Sequence, residues 1–231
     1  MNAPIHRGIA KKRPGFGGHA GAPRWHAACE PVFFATREGQ TRKIADRVAA
    51  DLHAHHIDVD IIDVRNARAP IPWPEYAVGF VAASVHARHH EREMIVFVRR
   101  HRNELTHLRA VFLSVSLSEA GAEDPNAPAD RRAQAAADAR GMIDVFIGKT
   151  GWRPARSVPV AGALAYTRYN FLIRFVMKRI ARKQGASTDT SRDHEFTNWP
   201  ALDTMVDEVA GPARPLPSEQ ARIESSRLQR L

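Results

Sequence analysis

Apolar residues in this chain come in short runs, separated by stretches in which they recur every three or four positions. PVFFAT (31–36), VDIIDV (59–64), YAVGFVAAS (76–84), AVFLSVSL (110–117) and SVPVAGAL (157–164) each have the length and composition of a buried strand. Between the first two, Ile44, Val48 and Leu52 fall at i, i+4 and i+8 and predict a helix over 41–55 with one apolar stripe. Met94, Ile95, Val98 and Leu105 predict a helix over about 90–106. An Ala-rich helix is expected over 130–148, a basic helix over about 170–184 and a last helix over about 199–210.

Strands that alternate with helices need crossover connections, which implies a parallel sheet covered by helices on both faces. In such sheets the ligand lies outside the C-terminal ends of the strands. The positions of interest are therefore those after Ala35, Ala83, Val115 and Ala163. Pro31 lacks an amide donor and is expected at the very start of the first strand if that strand is central.

Composition narrows the class. Of 231 residues, 44% are hydrophobic and 26% charged, as in ordinary soluble domains, and the body over 29–210 is long enough to bury a core unaided. Residues 1–28 are rich in Gly, Pro, Ala and His and show no apolar period, so a disordered basic tail is expected there. A flexible C-terminal tail is expected over 211–231, which opens with GPARPLP. There is no apolar run long enough to span a membrane, and no apolar segment follows the basic N-terminal residues as a secretory signal would require. The cytoplasm is the expected compartment. The single cysteine, Cys29, excludes an internal disulfide and a multi-cysteine metal site.

The net charge of +9 is concentrated in two places. Residues 1–28 carry five basic and no acidic residues; residues 164–184 carry six and none. On a helix over 170–184, Leu172, Ile173, Val176, Met177 and Ile180 share one face, and Arg174, Lys178 and Arg182 lie opposite with Phe171 and Phe175. That pattern suits an interfacial helix on an anionic membrane surface, and equally a helix that packs its apolar face and solvates its charges. Nucleic acid would also accept such charge, but no nucleic-acid motif accompanies it.

The sharpest chemical signal is Thr36-Arg37-Glu38-Gly39-Gln40-Thr41, which leads from the first strand into the first helix. A helix N-terminus favours an anion, a glycine lets the backbone approach it, and hydroxyls complete the shell. The loop has neither the P-loop nor the dinucleotide glycine pattern. The same residues would also serve a plainly capped helix.

TREGQT after a first strand resembles the T-x-[DE]-G-x-T phosphate loop of flavodoxins. The resemblance implies a five-stranded parallel sheet of order 2-1-3-4-5 and FMN as cofactor. It assigns the phosphate to Thr36 through Thr41. It places two further loops beside the flavin ring, at Ser84, Val85 and His86, and at Ser116, Leu117 and Ser118.

A narrower likeness is dispersed along the chain. VAGAL (160–164), Tyr166, Arg168-Tyr169, the basic stretch to Arg182, and Gly185 through Thr188-Asp189-Thr190 resemble the quinone-dependent protoporphyrinogen IX dehydrogenases of HemG type. So do Ser114-Val115, Trp152-Arg153-Pro154 and Asn198-Trp199. That branch carries a long insertion before the last helix, here 164–198. The resemblance implies oxidation of protoporphyrinogen IX to protoporphyrin IX with a membrane quinone as acceptor, at the inner face of the cytoplasmic membrane. It points to Arg168, Tyr169, Arg174 and Lys178 for substrate or membrane contact. Ala165 and Thr167 depart from the branch, which expects Arg and Pro there. A flavodoxin-type electron carrier or another FMN-dependent quinone reductase is the alternative.

His53, His55 and His56 end the first helix, where a protonated imidazole suits the dipole. His86, His89 and His90 fall near the implied flavin, where one of them could stack on it or accept a proton. No metal is expected, because a carboxylate or third ligand with the right spacing is lacking.

Overall fold

The apolar runs form a parallel sheet, seen in a computed structural model that describes residues 29–67, 69–164, 166 and 189–211. Its long strands are β1 (Cys29–Ala35), β2 (Asp58–Asp63), β3 (Val78–His86), β5 (Arg109–Ser116) and β6 (Arg156–Ala161), in the spatial order β2-β1-β3-β5-β6. Every pairing between them is parallel, so counted by long strands the order is the expected 2-1-3-4-5. A two-residue strand, β4 (His89–His90), folds back antiparallel onto the end of β3.

Alternation along β1 sends side chains to two cores. Val32 and Phe34 face α1 (Gln40–Ala54) and the last helix, α6 (Trp199–Ala210), which supply Ile44, Val48, Leu52, Leu202, Met205 and Val206. Phe33 and Ala35 face α2 (Arg92–Arg100), α3 (Arg102–His107) and α5 (Ala129–Thr150), which supply Met94, Val98, Leu105, Ile143 and Phe146. Within the second core Phe112 and Phe146 stack with centroids 4.2 Å apart, and Trp152 is fully buried against them.

Several boundaries differ from expectation. Pro31 is the third residue of β1, not its first. It is tolerated because β1 pairs with β3 only from Val32 onward. At that level the Glu30 carboxylate accepts instead from the amides of Ala77 and Val78. The helix expected over 90–106 is two helices, joined at His101, whose ring packs on Trp73 and Phe97. The strand expected to reach Leu117 stops at Ser116, whose hydroxyl caps a further helix, α4 (Leu117–Glu123), by accepting from the Glu119 amide.

The strand expected over 157–164 is broken at Gly162. Beyond it, β7 (Ala163–Leu164) leaves the sheet and pairs antiparallel with β8 (His194–Glu195). This small ribbon buries Leu164 and Tyr166 against Leu117 and Phe196. The return ends at Asn198, whose side chain accepts from the Ala201 amide and starts α6, with Pro200 in its first turn. The tails and the basic helix over 170–184 lie outside the described residues. Among those described, no helix is long and apolar enough to cross a membrane.

Candidate functional site

The C-terminal strand ends enclose a cavity of about 240 Å³. Its walls come from the four places that the topology singles out. Thr36, Glu38, Gln40 and Thr41 follow β1; Ser84 through Arg88 end β3; Val115 through Ser118 end β5; Gly162 and Ala163 follow β6. Asp138 and Met142 of α5 close the remaining side.

The loop after β1 is shaped for an anion. Gly39 has φ 98°, in the left-handed region open to glycine at little cost. Its amide donates to Thr36 Oγ1 at 2.9 Å, and the first helical bond runs from the Lys43 amide to the Gly39 carbonyl. The amides before Lys43 belong to a first turn with no side-chain cap and no acidic residue. The capping role open to Thr41 is therefore not the one it plays. Thr41 is fully buried, and its hydroxyl has no hydrogen-bond partner. A buried polar atom left unpaired beside open helix amides fits a phosphate, which would satisfy both.

Gln40 turns toward another segment. Its Nε2 donates to Thr197 Oγ1 at 2.8 Å, and that hydroxyl donates to the Ala161 carbonyl at 2.7 Å. One turn on, Lys43 Nζ lies 2.7 Å from Glu195 Oε2, and Trp199 Nε1 donates to Glu195 Oε1. The loop after β1 thus rests against the segment returning from β8.

The loop after β3 is a two-residue hairpin. His86 pairs with His89, and the residues between them, Ala87 and Arg88, both have positive φ (48° and 66°). This is the φ pattern of a type I′ turn, made without Gly or Asn. Of the three histidines here, only His86 lines the cavity. His90 is buried between Phe112 and Phe146, with Nε2 2.9 Å from Ser114 Oγ. Burial, with Lys149 and His89 nearby, pushes it down to about 4, so it is a neutral core residue. His89 faces out, 3.2 Å from Lys149 Nζ.

His86 meets two carboxylates: Nε2 lies 3.1 Å from Glu38 Oε2 and 3.1 Å from Glu91 Oε1. Neither carboxylate lies on its N–H axis, so the contacts are ionic rather than aligned hydrogen bonds. Burial opposes its charge, but Glu38 and Glu91 outweigh burial and carry the imidazole up to about 9. Arg37 turns its guanidinium away from the cavity to Glu91 Oε2, at 2.9 Å. Burial would raise the Glu91 carboxyl; His86 and Arg37 together hold it below its ordinary value.

The structure thus brings Thr36, Glu38, Gln40, Thr41, Ser84, Val85, His86, Ser116, Leu117 and Ser118 to one cavity. Arg37 and Gly39 support that cavity from behind. Arg168, Tyr169, Arg174 and Lys178 lie outside the described residues. Sequence reasoning missed Glu91, Asp138, Met142 and Thr197. Among the described residues no group of three His, Cys, Asp or Glu side chains is placed to hold a metal.

A doubly wound parallel sheet with this loop after its first strand defines a flavodoxin-like protein. The chain belongs to the flavodoxin domain family, which matches residues 31–191, and to the family of a protoporphyrinogen IX dehydrogenase (quinone) of Escherichia coli K12. With that relative it shares 32% identity over 179 residues, which are 78% of this chain and 93% of the relative. A relative of the same name from Leishmania major is 26% identical over 78% of this chain and 73% of its own length. Among solved structures, oxidised flavodoxin 1 from Bacillus cereus is 14% identical and covers 58% of this chain and 84% of its own. Its TM-score of 0.39 adds nothing to the assignment. The chain is accordingly a flavodoxin-like oxidoreductase.

Proposed function

We propose that this chain binds FMN in the cavity at the C-terminal strand ends and oxidises protoporphyrinogen IX to protoporphyrin IX, with a membrane quinone as electron acceptor. The supporting observation is a site of matching chemistry, with the unpaired Thr41 hydroxyl beside the uncapped turn of α1, in a chain 32% identical to such a dehydrogenase across 93% of its length.

The residues divide the work. Thr36, Gly39 and Thr41 would hold the phosphate through a hydroxyl shell and the open amides of α1. Ser84 through His86 and Ser116 through Ser118 would border the ring. The bound flavin would supply the redox chemistry, taking electron pairs from the porphyrinogen and passing them to the quinone. Six electrons and six protons leave the macrocycle, so three quinones become three quinols. Arg168, Tyr169, Arg174 and Lys178 are assigned to the substrate propionates or the membrane, since guanidinium and ammonium groups pair with carboxylate and phosphate. With the basic stretch 170–184 on an anionic surface, the protein would sit peripherally on the inner face of the cytoplasmic membrane, where the quinone resides.

The test joins cofactor to turnover. Protein purified with its membranes should show a flavin spectrum that bleaches when protoporphyrinogen IX is added without oxygen and returns when a quinone is added. A flavin that ignores the porphyrinogen would overturn the substrate. A protein that takes up no FMN would overturn the site.

A further inference from the structure

We propose that Glu91 is a positioning residue, whose buried carboxylate joins the phosphate loop to the hairpin after β3 and holds the cavity ready for its flavin. The inference rests on the flavin reading above, but Glu91 itself lines no part of the cavity.

Both oxygens of Glu91 are committed, and its side chain is only 1% exposed. Oε2 accepts from Arg37 Nε of the phosphate loop at 2.9 Å. Oε1 accepts from Ser84 Oγ at 3.2 Å and lies 3.1 Å from His86 Nε2, both from the end of β3. The Glu91 amide donates to the Ser84 carbonyl. Three side chains from two loops, separated by about fifty positions of sequence, therefore meet at one carboxylate. A buried carboxylate stays ionised only while such partners surround it. The same partners are thereby fixed in place.

The arrangement also balances charge. Arg37 and protonated His86 face Glu38 and Glu91, two of each sign. The surrounding charges are Glu93 on α2, which acts on Arg37, and Arg88 in the turn, which lies 3.4 Å from Asp138 of α5. His89 stands across the ladder from His86, beside Lys149 of α5. When His86 loses its proton, near 9, the foursome becomes net negative beside the place meant for a phosphate. Anion affinity should then fall, and the pH of that fall should depend on Glu91.

The experiment uses full-length protein freed of flavin. FMN binding is followed by fluorescence quenching between pH 7 and 10, and the His86 ring is titrated by NMR in the absence of FMN. Wild type should lose affinity through about pH 9, where its His86 titrates. Glu91→Gln should move the His86 titration and the affinity fall together to lower pH by a unit or more; the two loops lose their shared anchor, and this should weaken FMN at pH 7.5 by about tenfold even though one negative charge is removed. His86→Gln, which keeps the buried Arg37–Glu91 pair and so remains informative if the first variant misfolds, should remove the part of the alkaline fall that wild type shows through about pH 9. Ionisation of FMN itself is common to all three proteins and cancels in the comparison. A folded Glu91→Gln with unchanged affinity and unchanged inflection overturns the proposal. So does a wild-type His86 that titrates at its ordinary value, or an alkaline fall that is as large in His86→Gln as in wild type. If wild type binds no FMN at any pH, the flavin reading falls and takes this inference with it. Normal wild-type binding with no effect of Glu91→Gln overturns the inference alone.

Discussion

Gln40 and Thr197 are hydrogen-bonded over 2.8 Å, although 157 positions separate them. The bond ties the first turn of α1 to the chain returning from β8. Thr197 also donates to the Ala161 carbonyl, so one buried hydroxyl serves the phosphate loop, the end of β6 and the return at once. Thr197→Val keeps the shape and removes both bonds. Leaving the Ala161 carbonyl unpaired should cost about 1–3 kcal/mol. Thermal unfolding should show it as a Tm lowered by at least about 2 °C. FMN affinity should fall with it, because Gln40 loses its anchor.

Thr41 behaves in the opposite sense. Its hydroxyl has no hydrogen-bond partner among the described residues, so Thr41→Val removes no bond that they make in the free protein. The apoprotein should melt at the same temperature or higher. FMN binding should weaken by roughly tenfold to a hundredfold, as for loss of one hydrogen bond to a charged group. Calorimetry of the apoprotein together with an FMN titration separates the two effects. A loss of stability with unchanged FMN affinity would mean that Thr41 serves the helix and not the phosphate.

The hairpin turn at Ala87 and Arg88 holds two L-residues at positive φ. Asn and Gly occupy such a turn with little strain. The double replacement Ala87→Asn with Arg88→Gly should raise the Tm by about 2–4 °C, equivalent to about 1 kcal/mol. A lowered Tm would show that the Arg88–Asp138 contact outweighs the relief of strain.

Asp51 predicts a pH dependence of stability. Burial, with Asp203 and Asp207 close by, pushes its carboxyl up to about 6 against the pull of Arg47. Asp203, held by Arg47, is shifted down, so the proton of the pair resides on Asp51. A raised pKa means that the folded state binds the proton more tightly than the unfolded chain does. The stabilisation is fully present below the ordinary value of 3.8 and is lost as pH rises through about 6. Asp51→Asn keeps the neutral form at every pH. It should therefore melt above wild type at pH 8, with the gap closing toward about pH 4. A gap that does not change with pH would remove the titration of Asp51 as its cause.

What the sequence revealed and what it withheld follow from the range of the interactions. Val32 through Ala35 and the TREGQT loop are local patterns, in which strand, turn and helix start are written in adjacent residues, and they were legible. The sheet order was legible only through the family resemblance. Glu91, Asp138 and Thr197 gave no local sign, since each is tied to the site through a partner 50 or more positions away, Arg37, Arg88 and Gln40 respectively. Leu117 misled for another reason: it continues an apolar run, but the Ser116 hydroxyl caps a helix there and ends the strand. At Pro31 the general rule was sound, and the exception arose because Glu30 supplies an acceptor to the neighbouring strand where β1 has no ladder with β3.

The pairing of β7 with β8 has a consequence for how this domain could have been assembled. Antiparallel partners stand about 5 Å apart. Leu164 and His194, although 30 positions apart in sequence, therefore stand side by side. A segment whose two ends are pinned side by side does not have to span the five-stranded sheet. Beyond Tyr166, which is buried against Leu117 and Phe196, the intervening chain could be lengthened or exchanged, and β1 through β6 would keep their register. Such an exchange should yield a protein that still folds and still binds FMN, because the five-stranded sheet and the loop after β1 do not depend on the length of chain between the two short strands.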